Sequence, residues 1–348
     1  MKKTILLGGV LLTSLTASVR GEEKNEHPFS ISFEYLYWKA VQDQLPYAAV
    51  LPGGIQQIIQ TLSNQQNGPQ LSERLEIKNQ DFEFNSGLRV GVEYDLPHSN
   101  WGFSLSWETL HEGTSSRAKE NGGIIPIAVP VSSIFAFIGG DPSQFAFASC
   151  AESHWKLRFD AVDFTISRQL QSKKLHASPY LGLKAARINQ KQHIEYDGFS
   201  AGDTPINIET KKKNYFHGLG PLLGIHSSWE FYNHIYLTGN LGAALLFGRF
   251  HVLENPSASQ DPFFIEFKLK DHICNRVRPY VDAKIGVDWM PYVGKSVALT
   301  VGAAYEVQYW WNQWQVPASV VGSAITGGVS PQGDLMLYGY TFKVALSF

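Results

Sequence analysis

The chain has 348 residues, a net charge of −2 and 17% charged residues, a balance that gives no reason to expect nucleic acid or another polyanionic partner. Aromatics reach 13%, with 9 Trp and 15 Tyr, in a chain that is only 44% hydrophobic. That mixture suits a protein wet on one surface and greasy on another rather than one built round a soluble core.

In chain order, the N-terminus comes first. Lys2 and Lys3, the apolar run Thr4 to Ala17 and the small residues Ala17, Val19 and Gly21 predict a secretory signal peptide over residues 1–21. The apolar run is too short to cross about 30 Å of hydrocarbon as a helix. The mature chain, 22–348, then shows a period of two instead of 3.6. Phe29, Ile31, Phe33, Tyr35 and Tyr37 alternate with Ser30, Ser32 and Glu34. Over 81–94, Phe82, Phe84, Leu88, Val90, Val92 and Tyr94 face away from Asp81, Glu83, Arg89 and Glu93. Successive side chains of a strand point to opposite faces, so each such segment has one greasy and one polar face. Trp101 to Glu108, 276–289, 297–307 and 336–348 repeat the pattern. Residues 154–170 alternate but change phase near Asp160 and Ala161, which reads as a bulge. Residues 175–190, 213–229 and 235–250 form three further, glycine-rich and alanine-rich strands.

The connections alternate in length. Short turns fall at 97–100, 171–174, 231–234 and 291–295, and long loops near 43–78, 113–153, 197–206, 255–263 and 315–333. This is the plan of an all-β transmembrane up-and-down barrel with short periplasmic turns and long outer loops. About ten antiparallel strands satisfy it, and a further hairpin inside 113–153 would make twelve. A short helix over 53–66 is expected from Ile55, Ile58, Ile59 and Leu62. The apolar segment 124–140 could fold into the barrel mouth, supply the extra hairpin, or touch a neighbouring chain or the outer leaflet. A soluble β-sandwich would also alternate, but its strands are shorter, typically about 5–6 residues. Tryptophans at strand ends predict two membrane girdles, from Trp38, Trp101, Trp107, Trp155, Trp229, Trp289, Trp310 and Trp311. The last strand ends in Phe348, with Leu346, Val344, Phe342 and Tyr340 on its face. Such an ending resembles the tag read by the barrel assembly machinery, which is expected as a partner beside outer-membrane lipid.

The polar faces supply the functional candidates. Arg89, Glu93, Glu108, Lys156, Arg158, Asp160, Lys184, Arg276, Arg278, Asp282, Lys284, Asp288 and Glu306 are expected to face the lumen and line a pore. Eight strands leave an interior just filled by side chains, and wide aqueous pores need about 16–18. A ten-stranded lumen should therefore be narrow or largely plugged. No nucleophile elbow, H-E-x-x-H, Walker loop or C-x-x-C occurs, so neither catalytic residues nor a metal or other cofactor is expected. A hydrolase site at the outer rim would have to draw on Glu108, His111, Glu112, Glu152 and His154, which no motif ties together. Cys150 and Cys274 form no framework. An oxidising compartment lets them pair with each other or with another chain, and two free thiols are the equal alternative.

The stretches FEYLYWKA (33–40), FNSGLRVGVEY (84–94), WKLRFDAVDFTISRQL (155–170), FHGLGPLLGIHSSWEF (216–231) and YEVQYWWNQWQ (305–315) resemble the pore-forming outer-membrane proteins similar to the Legionella major outer-membrane protein, with relatives in chlamydia-like bacteria. The resemblance implies an outer-membrane barrel with porin-like passive diffusion of ions and small hydrophilic solutes, and no catalytic residues. The alternative is a structural or adhesive envelope barrel with a closed lumen, whose loops, cysteines or homo-oligomer contacts meet other envelope components.

Overall fold

The computed structural model describes residues 28–50, 76–127, 148–172, 174–201, 204–260, 263–266, 268–291, 297–316 and 332–348. The signal peptide and the helix expected at 53–66 lie outside them. Among the described residues there are fourteen strands: β1 (Phe29–Gln42), β2 (Pro46–Val50), β3 (Glu76–Asn79), β4 (Phe84–Asp95), β5 (Trp101–Ile125), β6 (Ala148–Arg168), β7 (Leu170–Ser172), β8 (Leu175–Ala201), β9 (Thr204–Tyr232), β10 (Ile235–Gln260), β11 (Phe263–Glu266), β12 (Leu269–Trp289), β13 (Ala298–Trp314) and β14 (Gly333–Ser347).

Ten of these, β1, β4, β5, β6, β8, β9, β10, β12, β13 and β14, make a closed antiparallel barrel. β1 and β14 seal it, in register from Ser30 opposite Ser347 to Gln42 opposite Leu335. The backbones of Phe29 and Phe348 exchange hydrogen bonds at 3.3 and 2.7 Å, so both ends of the described chain stand beside the short turns. Closure leaves the barrel wall without an unpaired edge, the condition for strands to stand in lipid.

Below an encircling boundary the outward residues are apolar. On β8, Leu175, Leu181 and Leu183 are exposed on the outer face; on β9, Leu219, Leu223, Ile225, Trp229 and Phe231; on β10, Leu237, Leu241, Leu245 and Phe247. A run from Leu175 to Ala185, rising about 3.3 Å per residue at a tilt of about 45°, covers roughly 25 Å, the height of an outer-membrane apolar band. Above the boundary the polarity inverts. Lys156, Arg158, Arg187, His217 and Arg249 now point outward and are exposed, while Trp155, Leu157, Ile188, Phe216, Phe250 and Val252 point inward and are buried.

This inversion corrects two expectations. The phase change near Asp160 is no bulge: β5–β6 and β6–β8 pair without a register shift from Cys150 to Ser167. The strands simply leave the membrane and continue as an external sheet. Hence β5 runs to Ile125, and β8 and β9 meet across 201–204, so the outer connections are shorter than the expected 113–153 and 197–206. The hairpin that would have made twelve strands is the outer part of β5 and β6 themselves. Of the apolar segment 124–140, Ile124 and Ile125 form the end of β5 and pair with Val50 and Ala49 of β2. There β2 occupies the edge of β5 that β4 has left, and Tyr47, Val50, Ile124, Ile194, Tyr196 and Ile208 form a second apolar cluster. The Tyr196 hydroxyl donates to the Tyr47 carbonyl. Residues 128–147 lie outside the described chain.

Candidate functional site

The lumen is the place where polar side chains from many strands meet. From the short-turn end it opens as a vestibule of about 310 Å³, lined by Glu93, His226, Asp288 and Lys343 among others. Lys343 Nζ stands 3.5 Å from Asp288.

A layer of ion pairs crosses the barrel above the vestibule. Arg89 on β4 holds Glu34 of β1, Glu108 of β5 and Glu306 of β13, each at 2.6 Å. Its Nε also donates to Glu108 at 2.9 Å, and its Nη1 to the second Glu306 oxygen at 3.0 Å. Lys284 from β12 donates to both Glu34 oxygens at 2.9 and 3.0 Å. Lys184 from β8 binds Asp163 of β6 at 2.8 Å and lies 3.7 Å from Glu108. Gln308 adds donors to Glu108 and Glu306 at 3.2 Å. Nearly every acceptor on these carboxylates is met, which a buried charge cluster requires if it is not to cost several kcal/mol.

Aromatic rings lie directly on this layer. Arg89 stacks on Trp38 at 5.3 Å, and Lys184 on Tyr280 at 4.4 Å and Trp310 at 5.7 Å. Trp310 in turn packs on Tyr280 at 4.3 Å and on Phe159 at 5.5 Å. Trp38, Phe159 and Trp310 are wholly shielded from solvent. Further out, Phe216 meets Phe250 at 4.7 Å and Arg278 lies 5.0 Å over Phe250. At the mouth, Asn214 donates to the Gln313 carbonyl at 2.7 Å and accepts from the Gln315 amide at 3.1 Å, drawing the end of β13 inward.

The expected pore residues divide. Arg89, Glu93, Glu108, Lys184, Asp282, Lys284, Asp288 and Glu306 do line the vestibule and its ceiling. Arg278 points inward and is buried, and Arg276 shares its strand phase near the mouth but is exposed. Lys156, Arg158 and Asp160 point outward, a correction that follows from the missing bulge. The same error hid Asp163, the partner of Lys184. Glu34 and Lys343 were missed as well; their strict alternation with Phe33, Tyr35, Phe342 and Val344 was the signal for them. The girdle divides too. Trp101, Trp107, Trp229 and Trp289 are exposed on the outer face and Trp311 is partly so, whereas Trp38, Trp155 and Trp310 are buried inside. Cys150 is a buried thiol that accepts from Arg117 Nε at 3.2 Å, and the side chain of Cys274 lies outside the described residues.

Two other groups carry chemistry. The rim acids and histidines do not converge. Glu108 and Glu112 are buried inside, while His154 on the outer wall meets Ser115 at 2.7 Å and Glu152 at 3.3 Å. Also on the outer wall, His193 lies 3.0 Å from Glu209 and 3.3 Å from Glu195, a donor set that could hold a cation. Lys211 already pairs with Glu209 at 2.9 Å, so one of the two carboxylates is met by a cation of the chain itself.

The model of a family described as Legionella pneumophila major outer membrane protein precursor matches residues 23–348. The chain belongs to this family. It is thus an outer-membrane β-barrel protein, in agreement with the closed barrel and its apolar belt. No curated protein matches the chain. Among solved structures it is similar to the outer membrane protease OmpT from Escherichia coli, with 10% identity over 94% of this chain and 99% of that one and a TM-score of 0.42. A Pseudomonas aeruginosa FadL homologue gives 9% identity, 92% and 90% coverage and a TM-score of 0.30. A major outer membrane protein from Thermus thermophilus gives 12% identity, 92% and 100% coverage and a TM-score of 0.30. Likeness at this level carries nothing about activity.

Proposed function

We propose that this protein is an envelope barrel whose lumen is shut at rest, and that it does not act as a constitutively open diffusion pore. The observation that carries this reading is the Arg89 layer, in which one guanidinium from β4 reaches carboxylates on β1, β5 and β13. A solute crossing the barrel would have to break those pairs and then displace Trp38, Trp310 and Phe159, which are packed to zero exposure. The porin-like activity implied by the family resemblance needs that layer to open. The role of the protein then lies at its surfaces: the external sheet meets other envelope components, and the outward aromatic strand ending at Phe348 presents itself to the assembly machinery. The reading is non-enzymatic, because the acids and histidines at the rim are split between the inner and outer faces.

Planar-bilayer recording of the refolded chain tests it. The wild type should be silent, whereas Arg89→Ala combined with Trp310→Ala should give stepwise conductance. Regular openings by the folded wild type would restore the porin reading.

A further inference from the structure

On the outer wall, where the apolar belt ends, β6, β8, β9 and β10 form a concavity of about 670 Å³. Its floor is apolar: Val162, Ala185, Leu219 and Phe247 lie side by side, each opposite the next across its strand pair. One outward position further from the periplasmic turns on each strand stand Asp160, Arg187, His217 and Arg249, again opposite one another. The shallow centre comes from Ala185, which is short between Val162 and Leu219. Arg249 sits at an irregularity, since the β10–β12 register shifts between Gly248 and Phe250.

The charges of this row are uneven. Asp160 is engaged by Arg158, at 3.3 Å. Among the described residues, neither Arg187 nor Arg249 takes part in an ion pair or side-chain hydrogen bond, and both are exposed, as is His217 between them. Two free guanidinium forks and an imidazole therefore project sideways from the barrel at the level where acyl chains give way to headgroups. A fork of this kind matches phosphate oxygens two at a time. Soluble anions have no need of the apolar floor, and neutral lipids have no need of the arginines.

We infer that the concavity over β6, β8, β9 and β10 binds a phosphate-bearing anionic lipid of the outer leaflet, of the lipid A class. Arg187 and Arg249 grip its phosphates, His217 lies between them, and Leu219 and Phe247 pack against its acyl chains. The inference stands whether or not the lumen conducts.

The test uses the full mature chain refolded in detergent, with purified bisphosphorylated lipid A as the probe. Lipid retained through gel filtration and the midpoint of thermal unfolding are both read. Lipid A should stay with the wild type and raise its midpoint. The Arg187→Ala, Arg249→Ala pair should bind it about tenfold more weakly, as expected when two solvent-exposed ion pairs are lost. Arg168→Ala, at the opposite end of the belt, should bind like the wild type. If the alanine pair does not fold, Arg187→Gln with Arg249→Gln gives the same readout. Equal retention by the double variant overturns the inference. So does equal binding of dephosphorylated lipid A, which would mean acyl packing alone. Inorganic phosphate giving the same rise in midpoint would mean a free-anion site and also overturns it.

Discussion

The two halves of the barrel wall obey opposite rules. In the membrane half, β8 turns Leu181 and Leu183 outward and Lys184 inward; a few residues on, the same strand turns Arg187 outward and Ile188 inward. The backbone pattern does not change, and pairing continues across the boundary. What changes is the solvent on the outer side. Lipid there pushes charges into the lumen, where they must neutralise one another; water there lets charges out and leaves the interior free to pack rings. A single continuous strand thus carries a charged interior below and an ordinary apolar core above.

The sharpest way to break this comparison is at the charged interior. Replacing Arg89 by Met strips the shared cation from Glu34, Glu108 and Glu306, and a buried pair broken from one side costs roughly 3–5 kcal/mol. Arg158→Met, on the outer wall above the belt, removes only a partly exposed pair with Asp160 and should stay within about 0.5 kcal/mol. Urea unfolding in lipid vesicles measures both. Equal losses would mean that the two arginines share an environment, as the sequence had suggested.

The next effect concerns the outer face alone. Leu223→Arg places a charge inside the belt and should cost about 2–3 kcal/mol, the penalty for a cation on a lipid-facing barrel position. Lys213 stands on the same face of the same strand, β9, beyond His217. There Lys213→Leu should change stability by less than about 0.5 kcal/mol. A similar cost for both would erase the boundary at His217.

Alternation made most of the fold legible. The ten barrel strands, the short turns at 97–100 and 231–234 and the closure follow from period two, and so do the inward positions of Arg89, Glu108, Lys184, Lys284 and Glu306. What failed lay mostly above the boundary. Lys156, Arg158 and Asp160 looked like lumen residues because a phase change with a fixed lipid exterior demands a bulge. The alternative, that the exterior itself changes, leaves the same trace in the sequence. Trp38, Trp155 and Trp310 failed for a related reason: a tryptophan near a strand end is as good a plug for a narrow interior as a ring for the interface, and only the phase of its strand separates the two. The bridging of four strands by Arg89 was beyond reach, since it depends on which strands face one another across the lumen.

The last expected effect, a dependence on pH, lies just above the boundary on β5. Glu112 is buried and accepts from the Ala40 amide at 3.0 Å. Burial raises its pKa from 4.5 to about 8, against the opposing pull of the Ala40 hydrogen bond. A raised value means that the folded chain holds this proton more tightly than the unfolded one. The contribution is complete below the unfolded value of 4.5 and is lost as pH rises through about 8. Stability should therefore decline gently between those values, by less than the limit of about 1.4 kcal/mol per pH unit that one proton sets. Glu112→Gln keeps the neutral shape and should flatten the decline. Unfolding midpoints of the two chains compared from acid to mildly alkaline pH decide it, and parallel curves would mean that the carboxyl is already charged in an external core that water reaches.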